Sequence, residues 1–186
     1  MSAQIIVHEL SRLERPALEA HFLALGDSAV RAYVARIDFE RDAAFGIFDD
    51  ELRLTGVAHV ARASGHAELG VSVLPGSRNR GYGAALLARA LQRARNWGVR
   101  ALFMHCLSEN EAMMHLARKQ DMAIVAETGE ADAWLKLPPA DASSHFGEVF
   151  AQRVALFDHA LRAQAAAARR FAEALTPRTG SRDPEK

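Results

Sequence analysis

The chain predicts an α/β fold built on a mixed sheet, and three observations carry that prediction. An apolar strand at 67–74 passes through a Pro-Gly turn into an Ala- and Leu-rich helix at 82–96. A second apolar strand at 99–106 follows. Strand, helix and strand in that order form a crossover unit, so these two strands should lie parallel and adjacent. The remaining strands, at 43–48 and 52–61 and again near 122–126 and 133–137, are joined by connections short enough to predict antiparallel pairs.

The other elements follow in order. Residues 4–9 read as a first strand. From 11 to 25, Leu13, Ala17, Leu18, Phe22 and Leu25 recur at helical spacing, with Ser11 as cap and Gly26 as stop. A second helical pattern covers 27–37, and a further one covers 109–120. Pro138-Pro139 sets a boundary, so 1–137 reads as the main domain and 138–175 as a helical extension. In the helix expected at 143–175, Phe150, Val154, Phe157, Leu161, Ala168, Phe171 and Leu175 form a heptad seam with Gln164 as its polar member. A stripe of that length must be covered, either by the chain's own domain or by a second copy in a homodimer. The tail 176–186 holds Pro, Gly and charge without a large apolar residue and is expected to be disordered.

Composition excludes several classes. Of 186 residues, 23 are Lys or Arg and 23 Asp or Glu, so a formal charge of zero argues against a nucleic-acid footprint. No run approaches 18 apolar residues, no leader pattern opens the chain and Cys106 is the single cysteine, so no membrane span is expected and a cytoplasmic location is the default. Few large apolar residues on the Ala-rich 143–175 helix argue against a membrane-surface role. The eight histidines show no H-E-x-x-H spacing, and no metal site is expected.

The stretch from Leu74 to Leu87 carries the chemistry. A helix N-terminus exposes unpaired amides and the positive end of the helix dipole, which attract phosphate. Gly81 and Gly83 allow close approach to the backbone, and Arg78 and Arg80 add charge. A phosphate-bearing cofactor follows as the first expectation.

Arg78-Asn79-Arg80-Gly81-Tyr82-Gly83, between a strand and a helix, resembles the acyl-CoA signature Q/R-x-x-G-x-G/A of the GCN5-related N-acetyltransferases. The resemblance spans roughly 4–137 and implies an acyl-CoA N-acyltransferase fold with acetyl-CoA as co-substrate. Within that superfamily, 38–45, 67–71 and 110–117 look like the acetyltransferase domain of bacterial protein lysine acetyltransferases. By this resemblance Arg78, Asn79, Arg80, Gly81, Tyr82, Gly83 and Ala84 would bind the diphosphate and Val71 and Val73 would line the pantetheine. Asn110 would hydrogen-bond it or cap its own helix, with Ser108 a lesser helper.

Acetyl transfer to an amine needs the neutral amine, and at pH 7 about four lysines in ten thousand are neutral. Glu68, on the strand leading into the loop, resembles the family's catalytic glutamate and is the expected general base. The usual tyrosine acid is absent, because its position holds Ala117. Asp121-Met122 replaces the family's Gly-Phe, and Asp tolerates a left-handed turn. Cys106 reads as a buried structural thiol, since His105 points to the opposite face. His59 and His66 read as a chance approach across a hairpin, and Tyr82 and Trp97 as packing residues. The resemblance implies an N-acetyltransferase acting on a primary amine, either a protein lysine or a small molecule; a non-catalytic acyl-CoA-binding regulatory module is the alternative. The acceptor site would come from the variable segments 26–42 and 126–133.

Overall fold

The computed structural model describes residues 5–26, 30–107, 110–127 and 130–175. Its strands are β1 (His8–Leu10), β2 (Ala43–Phe48), β3 (Leu54–Arg62), β4 (His66–Val73), β5 (Ala101–Leu107), β6 (Ala123–Glu127) and β7 (Glu130–Lys136). Its helices are α1 (Arg15–Leu23), α2 (Val30–Arg36), α3 (Tyr82–Asn96), α4 (Glu111–Lys119) and α5 (Ala142–Leu175). The strands form one sheet in the order β1-β2-β3-β4-β5-β7-β6. Only β4 and β5 pair in parallel among these neighbours; every other pair is antiparallel. The mixed sheet and its parallel pair are as the crossover unit predicts.

Helix α3 is amphipathic for a reason visible in its spacing. Leu86, Leu87, Ala90 and Ala94 fall on one stripe and are fully buried. They pack on Phe45, Val60, Leu69, Leu102 and Met104 from the sheet. Arg93 and Arg95 sit in its last turn, where the helix dipole favours cations. Helix α4 joins the same face through Leu116 and Ala117. On the other face, α1 and α2 supply Leu18, Val34 and Tyr33 against Val57, Phe48 and Leu54. Farther along that face Phe103, Val125 and Trp134 stay exposed on β5, β6 and β7.

Most boundaries shift by a residue or two from the sequence reading, as for the strand expected at 99–106, which is Ala101–Leu107. Four further differences concern the ends of β1, α1, β7 and α4. The first strand covers only His8–Leu10. The helix expected from 11 begins at Arg15, after a 3-10 turn at Arg12–Glu14 closed by a Ser11/Glu14 capping box. Pro16 explains the delay: its ring clashes with the carbonyl four residues earlier, so no α-helical turn can precede it. Strand β7 begins at Glu130 rather than 133, since it pairs with β5 over the full length 101–107. The expected helix at 109–120 is Glu111–Lys119, capped by Asn110. Residues 27–29 of the helix expected over 27–37, and the tail 176–186, lie outside the described residues.

Helix α5 packs on α3 and β1 through a face other than the heptad seam. Ser144, Ala155 and Ala166 are buried there. Glu148 accepts hydrogen bonds from Arg89 Nη1 at 2.9 Å and from Arg93 and Asn96. Arg89 in turn lies over the Phe45 ring at 4.8 Å. Burial alone would raise the Glu148 pKa, but the donors from Asn96, Arg93 and Arg89 outweigh it and hold the carboxyl below its ordinary value. Asp158 reaches His8 Nε2 at 3.3 Å and Arg162 Nε at 2.7 Å. The seam residues Phe150, Phe157, Leu161 and Phe171 face outward.

Candidate active site

The parallel pairing of β4 with β5 runs from His66/Ala101 to Leu69/Met104. Past that register β4 continues to Val73 and β5 to Leu107 without pairing to each other. The strands therefore part, leaving backbone amides and carbonyls of β4 from Gly70 onward without a β5 partner. An extended chain of peptide-like amides can bond there as a strand would. Val71 and Val73 lie on this parted half of β4, half-buried against the α3-side core.

Strand β4 leads through a 3-10 turn (Pro75–Ser77) into the loop before α3. Asn79 has φ 59° and Gly81 φ 82°. Such left-handed residues turn successive amides toward one concavity, an anion-binding arrangement. Asparagine and glycine are the residues that adopt this conformation at low strain. The first amide to find a helical acceptor is that of Ala85, donating to Gly81 O at 3.0 Å. Tyr82, Gly83 and Ala84 thus present their amides ahead of the helical ladder. Arg78, Asn79, Arg80 and Gly81 are exposed. Arg78 Nε donates to Val73 O at 3.2 Å, holding its guanidinium beside the end of β4. The loop thus offers amides, a helix dipole and two arginines at one exposed place, a donor set that fits a diphosphate.

Across the sheet, on the α1–α2 face, a groove of about 540 Å³ opens over the apex of the parted strands. Glu68 stands on its floor, 67% exposed, with His66 Nε2 at 3.6 Å from its carboxylate. Phe103 and Met104 from β5 and Asp132 from β7 line one wall. His105 donates from Nδ1 to Asp132 Oδ1 at 2.7 Å, and this bond raises the histidine pKa above its ordinary 6.5.

The opposite wall is a hydrogen-bonded chain. Tyr33 Oη and His59 Nδ1 are 2.9 Å apart, and His59 Nε2 lies 3.2 Å from Asp42 Oδ2. A carboxylate only accepts, so the ring proton sits on Nε2 and Nδ1 accepts from the Tyr33 hydroxyl. Burial, and then the nearby Asp42 charge, push the Tyr33 pKa up to about 12, so the phenol stays neutral. Its hydroxyl sits over Gly70, where an added Cβ would approach Tyr33 Oη to 3.3 Å. Gly70 is also the first β4 residue past the β5 pairing. Deeper, the buried His21 donates from Nδ1 to Leu54 O at 2.9 Å and accepts from Ser72 Oγ at 2.8 Å, tying α1 to the parted half of β4.

The predicted residues thus separate into two sets. Arg78 to Ala84 converge at the helix start, and Glu68 lies on the other side of the parted strands. Asn110 is the N-cap of α4, its Oδ1 accepting from Met113 N at 3.2 Å. Ala117 is fully buried in the core, and Asp121 takes φ 52° as its turn requires. Tyr82 and Trp97 pack against the core. Ser108 and the Cys106 side chain lie outside the described residues. His59 and His66, read as a chance pair, both line the groove. Tyr33, Asp42 and Asp132 were not singled out from sequence, although they fall in or beside the variable segments expected to form the acceptor site. No metal-holding cluster occurs among the described residues.

Strands parted beside a glycine loop at a helix start are the arrangement expected of an acyl-CoA-dependent acyltransferase fold. The chain belongs to the acetyltransferase (GNAT) family, whose model matches residues 7–122. It is therefore an acetyl-CoA-dependent acetyltransferase. Solved structures agree on the fold. The ribosomal-protein-S18-alanine N-acetyltransferase of Escherichia coli superposes with TM-score 0.59 at 19% identity, over 75% of this chain and 96% of that one. The acetyltransferase yncA of Salmonella typhimurium, described with its cofactor acetyl-CoA, gives 0.60 at 17%, over 74% and 96%. The GNAT domain of S. lividans PAT gives 0.60 at 17%, over 70% and 89%. Among curated proteins no sequence match was found.

Proposed function

We propose that this protein transfers the acetyl group of acetyl-CoA to a primary amine by direct attack, with Glu68 as general base. One observation carries this reading: Glu68 stands on the floor of the groove, two residues before Gly70, where β4 and β5 have just parted. Val71 and Val73, the loop Arg78, Asn79, Arg80, Gly81, Tyr82, Gly83 and Ala84, and Asn110 would hold the donor on the other side. The donor supplies an activated thioester. Glu68 takes the proton from the entering ammonium, the amine nitrogen then forms the C–N bond, and the C–S bond breaks. As the C–S bond breaks, the acylated nitrogen gives up its second proton, which ends on the departing sulfur directly or through water, while Glu68 releases the first proton to solvent. Ala117 in place of a tyrosine therefore does not block turnover. Tyr33, oriented through His59 by Asp42, turns an oxygen lone pair to the groove and positions the amine for Glu68.

Among the described residues the groove lining includes no lysine or arginine, and Glu68 and Asp132 give it negative charge. The exposed Phe103 and Trp134, cross-strand partners, continue it into an open sheet face. These features favour a lysine on a polypeptide over a small amine as acceptor. Thiol release measured with lysine peptides beside a panel of small amines tests both levels. Turnover is expected, faster with peptides. Acetyl-CoA binding without turnover on any amine would favour the non-catalytic module instead.

A further inference from the structure

Helix α5 reverses the usual pattern of a surface helix. The face laid on α3 and β1 is small or ionic: Ser144, Glu148, Ala155, Asp158, Arg162 and Ala166. On the other side Phe146 is 74% exposed, Phe150 61%, Phe157 68%, Leu161 51% and Phe171 67%. With 3.6 residues per turn, these five side chains project within about 40° of Phe157. The buried positions lie on the opposite side of the helix. The seam from Phe146 to Phe171 spans 25 residues, about 38 Å.

We propose that this seam is the interface of a homodimer, in which two α5 helices pack antiparallel about a twofold axis near residues 158 and 159. The sequence is complementary to its own reverse in that register. Phe150 opposes Ala167, Phe157 opposes Ala160, Leu156 opposes Leu161, Phe146 opposes Phe171, and Arg153 opposes Gln164. Phe150 and Phe157 thus meet alanines near the centre, the leucine pair and the outer Phe146/Phe171 pair stack apolar on apolar, and Arg153 beside the seam meets its polar member Gln164. Parallel packing would set Arg153 against Arg153 and Phe150 against Phe150. The antiparallel register separates the two Arg153 side chains by 11 residues, about 16 Å along the axis.

The area suffices for a stable dimer. Four phenylalanines, each about two-thirds exposed and about 200 Å² in full, remove roughly 1,100 Å² when two copies meet. Val149, Leu156 and Leu161 carry the total into the range of about 1,200–2,000 Å² typical of specific interfaces.

Sedimentation equilibrium of the full chain at micromolar concentration should give twice the 20.3 kDa chain mass. Phe157→Glu should return the monomer mass with unchanged circular dichroism and acetyl-CoA affinity, and Phe157→Gln serves if Glu impairs folding. In a Cys106→Ser background, Phe146→Cys and Phe171→Cys chains should form a disulfide when mixed, and neither should do so alone. A monomer at every concentration would overturn the proposal. So would a dimer unaffected at Phe157, a disulfide in Phe146→Cys chains alone, or a monomer that instead co-sediments with phosphatidylglycerol vesicles.

Discussion

The proposed donor and acceptor sides of this site are made from opposite kinds of contact. On the donor side, residues 78–84 are contiguous, and the groups they offer are backbone amides fixed by two left-handed residues and a helix start. On the proposed acceptor side, His59, Glu68, Phe103 and Asp132 come from four strands and meet through sheet register, and Tyr33 joins them from α2 packed on the sheet. The first kind of site is written in one short stretch. The second exists only after the strands have paired.

The two sides should fail separately when changed. Glu68→Gln should lower turnover at neutral pH by about 10²–10⁴-fold and spare acetyl-CoA affinity; wild-type turnover would remove Glu68 as the base. Gly81→Val should act on the donor alone. Its φ of 82° is strained for a branched residue, and its Cβ would lie 3.3 Å from Ile5 Cδ1. A strain of about 1–2 kcal/mol lowers acetyl-CoA affinity roughly 5–30-fold by calorimetry. The same variant should leave the amine KM in place, and a shift there would break the division.

Smaller changes sharpen the acceptor side. Tyr33→Phe removes one hydrogen bond, worth about 0.5–1.5 kcal/mol net, and should raise the amine KM about 3–10-fold with kcat less affected. Asp42→Asn should add little to Tyr33→Phe, because both act through His59; full additivity would show that the chain is not a unit. The smallest effect belongs to Asp132→Asn. His105 has its pKa raised in the folded protein, so the charged pair persists at low pH and dissolves as pH climbs through the histidine's own value. Removing the Asp132 charge should move the His105 titration midpoint, followed by NMR, down toward 6.5. An unmoved midpoint would dissolve the pair.

The sequence shows the donor loop because glycine spacing, a strand before it and a helix after it are all local. It shows the parallel pair for the same reason, through the length of the crossover. Glu68 was reachable because the strand bearing it runs straight into the loop. Tyr33 was not, since nothing in the 30–36 pattern says that its hydroxyl meets a histidine 26 positions away. His59 looked like chance, because its role depends on the register that sets it beside Gly70. The heptad seam at 143–175 was visible, but its direction was not. That direction follows from Glu148, which meets Arg89 and Arg93 on α3 and turns the aromatic stripe outward.

That cluster also sets an order on synthesis. The whole sheet and α3 leave the ribosome before Glu148 does, so a nascent chain can close its core with two guanidiniums still awaiting their carboxylate. Glu9 already stands near, with Arg93 Nη2 at 2.7 Å. Arg89 lies over the Phe45 ring and has Glu9 Oε2 at 3.9 Å, so until Glu148 arrives it keeps this longer ionic contact and lacks the 2.9 Å bond that Glu148 supplies. A stalled or shortened product ending before residue 148 would lack the bonds from Arg89, Arg93 and Asn96 to Glu148 and the cover of α5 over α3, so finished and unfinished chains should differ in stability and in susceptibility to proteases.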